Sequence, residues 1–139
     1  MKVDELIENG LLKRIPPSEE RMKKSLKVSE RYLFGAKKTL ESDICDMAIM
    51  GAYSSTFHAA RAILFKDGFS ERSHYAIYQY LKEKHKTLGN EYIETFNLHR
   101  KLRHSVAYGL DTVVGIADAE EAIEFAERFL KKVKSYLAL

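Results

Sequence analysis

Proline placement constrains the fold of this chain more than any other feature of its sequence. Its two prolines are adjacent, at positions 16 and 17, and the residues that follow contain none. Because proline interrupts helices and central strands, long helices can run without a break after Pro17. Apolar residues recur there at three- and four-residue spacing rather than in alternation, which indicates helices and no strands. The sequence therefore predicts an all-α bundle of four or five helices.

The chain is predicted to divide into an N-terminal arm at residues 1–17 and a helical bundle at residues 18–139. The arm is expected to hold one short helix that ends near Gly10. Ser18 is the predicted cap of the first long helix, because its hydroxyl can accept a hydrogen bond from the first turn. The long helices are expected near residues 18–40, 43–66, 73–84, 91–108 and 118–137.

The second long helix is predicted to be the central one, because it is apolar on most of its sides. Small residues form one face and would let neighbouring helices approach closely: Ala48, Ala52, Ser55, Ala59 and Ile63. The last helix is expected to begin at Asp118, which resembles a capping box with Glu121 three residues later.

Composition excludes several classes of protein. The 139 residues suffice for one domain, and 45% apolar with 31% charged residues is typical of a soluble globular protein. No apolar run approaches the ~20 residues of a membrane span, and the first residues do not resemble a secretory signal. Cys45 is the single cysteine, so no intramolecular disulfide can form and the cytoplasm is the expected compartment.

The charge of the chain is unevenly distributed. A net charge of +3 is mild for a nucleic-acid binder, but four of the five histidines lie between Glu71 and Leu110. The last helix begins acidic instead. The middle of the chain is therefore the better candidate for contacting an anion.

Cofactor and metal signatures are absent from the sequence. There is no glycine-rich phosphate loop, nucleophile elbow or His-Glu-x-x-His motif. His99 and His104 are turned about 140° from each other on an ideal helix, which disfavours joint metal ligation. We therefore expect neither a cofactor nor a metal.

The segment Arg100–Gly109 combines arginine, histidine and tyrosine on one predicted helix. Leu98, Leu102 and Val106 repeat every four residues and are predicted to face the core. Arg100, His104 and Tyr108 would then point away from the core, with Arg103 between the two faces. Such a row is either a solvated helix face or an anion site, and spacing alone leaves both open.

Phosphodiester chemistry is the reaction class that these residue types suit best. RNA can be cut without a metal when its 2′-hydroxyl attacks the adjacent phosphate, which requires a cation and a proton carrier. Arg100 or Arg103 would supply the cation and His104 the proton carrier. A phenol with the reference pKa of about 10 is a poor base, but the Tyr108 hydroxyl can hydrogen-bond a phosphate.

Three segments together resemble the small prokaryotic HEPN-domain proteins (higher eukaryotes and prokaryotes nucleotide-binding). They are Pro-Pro-Ser at 16–18 before a basic helix, Ala-Tyr-Ser-Ser-Thr-Phe-His-Ala-Ala-Arg-Ala-Ile-Leu at 52–64, and Leu-Arg-His-Ser-Val-Ala-Tyr-Gly at 102–109. The resemblance extends from Ile7 to Tyr136. It implies an up-down helical bundle that forms homodimers through its central helices.

The resemblance also implies functions. Many such proteins are metal-independent RNases with an Arg-x(4–6)-His motif, and many are toxins encoded beside a nucleotidyltransferase-like antitoxin. The motif arginine corresponds to Arg103, and the polar residue after it to His104. Tyr108 occupies the position of the motif histidine, and Ala107 that of an aspartate. The proton carrier is thus missing from its usual place.

The predicted site follows from these correspondences. Arg103, His104 and Tyr108 are the candidate catalytic residues, and Arg100, Arg103 and His99 are the candidate phosphate or RNA contacts. A third group is expected in the dimer seam or the cleft, with the choice left open: Tyr53, Phe57, His58 and Arg61.

Three functions remain open at this point. The first is a dimeric module that binds nucleotide, RNA or a nucleotidyltransferase-like partner, with little or no catalysis. The second is a metal-independent RNase toxin that uses Arg103 with His104 or Tyr108. The third is a plain interaction or scaffold role.

Overall fold

Six α-helices and two three-residue strands make up the computed structural model, which describes residues 1–138. A 3-10 turn at Lys86–Leu88 precedes α5. The all-α prediction is confirmed. The elements, in chain order, are α1 (Val3–Glu8), β1 (Leu12–Arg14), α2 (Glu19–Glu41), α3 (Cys45–Asp67), β2 (Phe69–Glu71), α4 (His74–Lys84), α5 (Asn90–Tyr108) and α6 (Ile116–Tyr136).

Helix α3 is central because its small residues let α2 approach closely. The Ser29 hydroxyl donates to the Ser55 carbonyl at 2.6 Å, which satisfies a polar group buried between the two helices. A Cβ on Gly51 would lie 3.3 Å from the Cβ of Ala36, so the backbones meet there with little room to spare. The predicted small-residue face of α3 is fully buried, as expected: Ala48, Ala52, Ser55, Ala59 and Ile63.

The expectation that the chain has no strands is wrong. Strand β1 pairs with β2 in antiparallel register, with Leu12 opposite Glu71 and Arg14 opposite Phe69. Strands of three residues are too short to show the alternation that a sequence pattern requires. The pairing fastens the N-terminal arm to the segment that follows α3.

Gly68 makes the close approach of the arm possible. Its φ of +95° is in the left-handed region that ends α3, and a Cβ there would lie 2.9 Å from the Ile15 carbonyl oxygen and from Pro17 Cγ. The Ile15 amide donates to the Gly68 carbonyl at 3.0 Å. The proline pair therefore lies against the end of α3, and the arm is docked on the bundle.

The two helix starts that were predicted from capping residues differ in outcome. Ser18 caps α2 as predicted, since its hydroxyl accepts from the Arg21 amide at 3.1 Å. Helix α6 instead begins with Gly115 as its cap. Asp118 lies in the first turn and accepts from the Gly115 amide at 2.9 Å, so the predicted cap position is wrong by three residues. The carboxylate still satisfies an amide at this helix end.

A hydrogen-bond network ties α3, α4 and α6 together near Asp67. Its carboxylate accepts from Tyr80 and from the His85 imidazole, each at 2.5 Å, and the other His85 nitrogen meets the Tyr136 hydroxyl. Burial acts to raise the pKa of Asp67, but the hydrogen bonds from His85 and Tyr80 outweigh it and lower the pKa overall. Asp67 is therefore held in its charged form.

Aromatic rings fill the space between α5 and α6. The Phe96 and Phe129 rings are 6.0 Å apart, and His99 stacks on Phe125 at 4.8 Å. The Tyr92 ring centre is 6.5 Å from that of Phe125 and 6.3 Å from that of Phe129. This aromatic layer holds α5, the helix that carries the arginine-rich segment.

Candidate functional site

Arg100 and Arg103 lie on the side of α5 that continues its buried face. Phe96 and Asn97 are buried, and Arg100 follows them by four and three residues, so all three share one side of the helix. Leu98 is 62% exposed, so the prediction that it faces the core is wrong. Leu102 and Val106 are half-buried against an apolar cluster that α2, α3 and α6 form. The apolar repeat of Leu98, Leu102 and Val106 does not define the buried face of α5, because the larger aromatic residues set the orientation of this helix.

The two arginines keep their charge available. Arg100 Nε donates to the Asn97 side-chain oxygen at 2.9 Å, and its guanidinium lies 5.4 Å from the Tyr75 ring centre. The Arg103 guanidinium lies 5.9 Å from the ring centre of Tyr108. Within residues 1–138, neither guanidinium has a carboxylate within ion-pair distance. Both are therefore available to an external anion.

His74, a residue that the sequence patterns did not single out, lies in the same region. It is the first residue of α4, directly after the Ser73 cap. Its Nδ1 is 2.9 Å from the Tyr53 hydroxyl, and its ring stacks on Phe57 at 4.2 Å. Tyr53 and Phe57 are one turn apart on α3, so the central helix holds the imidazole in place.

The fields of the arginines converge on this pair. Partial burial lowers the pKa of His74, and Arg103, Arg100 and then Arg61 lower it further. Burial raises the pKa of Tyr53 well above its ordinary value, although the same two α5 arginines oppose the effect. At neutral pH, therefore, a phenol and a neutral imidazole lie in the positive field of these arginines.

Arg61 is engaged with Glu71, the last residue of β2. Its Nε is 2.7 Å from Glu71 Oε1, within ion-pair distance, and Glu71 Oε2 has no hydrogen-bond partner among the described residues. The Arg61 guanidinium also lies over the Phe57 and Phe65 rings. Burial raises the pKa of Glu71 even beside this cation. The pair is thus poorly compensated for its burial.

His58 extends the same surface toward α2. Its ring stacks on Tyr32 at 5.5 Å and meets Phe57 edge-on. Burial lowers the pKa of His58 to about 4, with further lowering by Arg61 and Arg31. His58 is therefore a neutral aromatic group at physiological pH rather than a cation.

The remaining predicted residues divide between two places. His104 and Tyr108 are exposed at the end of α5, with ring centres 4.9 Å apart, so Arg103, His104 and Tyr108 are brought together. His99 packs against α6, where burial lowers its pKa. It therefore belongs to the aromatic layer as well as to the motif helix.

A family model for the HEPN domain matches residues 22–136. The chain belongs to the HEPN family. No curated protein matched it. The HEPN match runs from α2 to α6, so every predicted site residue and His74 lie inside the HEPN domain.

The ring contacts, together with the electrostatic influence of the α5 arginines on His74, define one region of the HEPN domain, which we name the aromatic–basic surface. Its members come from α2, α3, the start of α4, and α5: Tyr32, Phe57, His58, Arg61, His74, Arg100 and Arg103. Cations and flat rings in one surface can contact phosphate oxygens and stack on bases.

The described part of the chain offers neither a metal cluster nor a membrane-spanning helix. No group of three or more side chains that could hold a metal ion occurs within residues 1–138. None of the helices described is both long and apolar enough to cross a bilayer.

Proposed function

We propose that the protein is a homodimeric HEPN module that binds single-stranded RNA or nucleotide phosphates on the aromatic–basic surface. The observation that carries the proposal is the pair Arg100 and Arg103, which lie one turn apart on α5 and have no carboxylate partner among the described residues. Both arginines also act electrostatically on Tyr53 and His74. Guanidinium groups match phosphate oxygens in shape and charge.

The aromatic members of the surface favour a single strand over a duplex. Phe57 is half-buried, and Tyr32 is 39% exposed, so both rings keep an accessible part while packing fixes their positions. Bases of a single strand can stack on such rings, whereas the bases of a duplex are already stacked on one another. Stacking also tolerates any base, so the expected sequence preference is weak.

A homodimer would bring two copies of this surface together. Two copies around one axis would double the positive charge and enclose a cleft. We expect light scattering to report a mass of about twice 16.0 kDa at micromolar concentration. A monomer throughout that range would contradict the dimeric part of the proposal and leave binding by a single surface to be tested alone.

Removing the two arginines should weaken RNA binding. We expect Arg103→Gln to raise the Kd for a single-stranded RNA about tenfold and Arg100→Gln/Arg103→Gln about a hundredfold, since each charged hydrogen bond contributes roughly 1.5–3 kcal/mol. Fluorescence anisotropy at fixed salt measures the Kd. The slope of the logarithm of Kd against the logarithm of salt concentration should decrease by about one for each arginine removed.

Arg128→Gln is the matched control for this measurement. Arg128 lies on α6, 5.8 Å from the Phe125 ring centre, and outside the aromatic–basic surface. Its replacement removes the same charge and should leave the Kd within about twofold, because distant surface charges are largely screened at physiological salt. Equal weakening by all three replacements would indicate binding by net charge alone and contradict the proposal.

A metal-independent RNase toxin is the alternative function, with a nucleotidyltransferase-like antitoxin as its partner. The observation that favours it is the proximity of Arg103, His104 and Tyr108 at the end of α5. Incubation of the dimer with structured RNA in EDTA tests it. Cleavage by the unmodified protein that Arg103→Ala abolishes would support the RNase, and intact RNA in both samples would favour the binding module.

A further inference from the structure

We propose that His74 is a phosphate ligand of the aromatic–basic surface and takes up a proton when the anion binds. The inference rests on the proposed function, because it assumes that Arg100 and Arg103 attract a phosphodiester or a phosphate group to this place. It adds a specific residue, a specific ring nitrogen and a pH dependence that the family motif does not contain.

The geometry presents one nitrogen of His74 to an incoming anion. Tyr53 Oη is 2.9 Å from Nδ1, and Tyr53 is itself buried on α3, so the contact fixes the orientation of the imidazole. Phe57 covers one face of the ring at 4.2 Å. Nε2 has no hydrogen-bond partner among the described residues, while His74 as a residue remains exposed.

The hydrogen bond between Tyr53 and Nδ1 allows the neutral imidazole to carry its proton on Nε2. Burial keeps the Tyr53 phenol protonated by raising its pKa. The hydroxyl can therefore donate to Nδ1, which leaves the single proton of the neutral imidazole on Nε2. An Nε2–H that points away from Tyr53 can donate to a phosphoryl oxygen without any change of tautomer.

Charged groups reach His74 from each element around it. Arg100 and Arg103 contribute from α5, and Arg61 contributes from α3. The negative charge of Glu71, on β2, acts on Tyr53, but Arg61 already opposes that charge. The neighbouring His58 has a pKa of about 4 and is neutral. The net field is positive, so the free protein disfavours a charged His74.

An anion at the arginines reverses this field. Its negative charge would raise the pKa of His74, and the added proton would come from solvent onto Nδ1 while the Tyr53 hydroxyl rotates to accept. By linkage, an anion that raises the pKa of His74 must bind more tightly when His74 is protonated. Binding should therefore strengthen as pH falls.

RNA affinity as a function of pH tests the inference. The probe is an oligoribonucleotide with hydroxyl groups at both ends, because internal phosphodiesters do not titrate between about pH 5 and pH 8. We expect the Kd of the unmodified protein to fall by up to about tenfold per pH unit on acidification, the limit for one proton taken up. His74→Gln should bind at least fivefold more weakly at the acidic end and show a nearly flat profile.

His85→Gln is the matched control. His85 also contacts a tyrosine hydroxyl, that of Tyr136, but it lies outside the aromatic–basic surface. The variant should therefore retain the pH dependence of the Kd. Far-ultraviolet circular dichroism checks that both variants are folded. A slope that survives in His74→Gln, or a flat profile in the unmodified protein, would overturn the inference while leaving RNA binding itself established.

A titration without RNA separates the inference from the proposed function. The histidine ring resonances are followed by NMR in sulfate, whose charge is fixed over this pH range, and in chloride at equal ionic strength. We expect the pKa of His74 to be higher by at least half a unit in sulfate, and the difference to vanish in Arg100→Gln/Arg103→Gln. If no RNA binds at any pH, the proposed function fails, and this titration alone decides the role of His74. A pKa of His74 that is the same in sulfate and in chloride would overturn the inference.

Discussion

Phe129→Ala should lower the free energy of unfolding by about 3–5 kcal/mol, the usual cost of removing a buried phenylalanine ring. Phe129 is fully buried, and its ring lies near Phe96, Phe125 and Tyr92. Because these large rings bridge α5 and α6, the neighbouring helices cannot easily close the resulting cavity. Urea denaturation at neutral pH measures the change, with the slope against urea expected to stay constant.

Phe34→Ala provides the comparison for this substitution. Phe34 is 65% exposed on α2, and its replacement should change the free energy of unfolding by no more than about 0.5 kcal/mol. A loss of less than about 1 kcal/mol in Phe129→Ala would show that α5 and α6 are held together by something other than the aromatic layer.

Arg61→Leu should lower the free energy of unfolding by about 2–4 kcal/mol, because it leaves the Glu71 carboxylate buried without its cation. The Glu71 side chain is only 6% exposed, whereas Arg61 is 30% exposed, so we place the loss below that of a fully buried pair. Arg61→Leu/Glu71→Leu should recover most of the loss, since the existing pair already compensates poorly for its burial.

The pH dependence of the Arg61→Leu deficit provides an independent check. Burial raises the pKa of Glu71 above its ordinary value, so the folded protein binds a proton there more readily than the unfolded chain. The contribution of this group to stability is therefore greatest at low pH and is lost as pH rises through the folded pKa. The deficit of Arg61→Leu should shrink on acidification.

A surface ion pair supplies the matched control for the Arg61 measurements. Lys37 and Glu127 link α2 and α6 with about half of each side chain exposed. Lys37→Met should cost less than about 1 kcal/mol, as is usual for exposed pairs. If Arg61→Leu costs no more than this control, the Glu71 carboxylate is not effectively buried, and the reasoning about the pair is wrong.

Much of the fold was predictable because long amphipathic helices carry their own signals. The Ser18 hydroxyl and the small-residue face of α3 are local features, and each has the structural role that the sequence indicated. The orientation of α5 was not predictable in this way. Leu98 and Phe96 are both apolar, and only the rings on α6 decide which of them is buried.

The candidate site was predictable only in part, because it combines residues from separate elements. The motif helix identified Arg100 and Arg103, but His74 acquires its place through Tyr53, which is 21 residues earlier in the chain. A histidine after a capping serine has no periodic or motif signal of its own. Its proximity to the arginines arises from the packing of α4 and α5 on α3.

Docking of the N-terminal arm imposes an order on folding during synthesis. The Val3 amide donates to Glu83, 80 residues later in the chain, and β1 pairs with β2, which follows α3. The ribosome therefore releases the arm long before its partners exist, and the β1 edge stays open until α3 and β2 have emerged. Such an edge can pair with other chains in the meantime. Lys13 and Arg14 make up two of its three residues and would disfavour that encounter by charge repulsion.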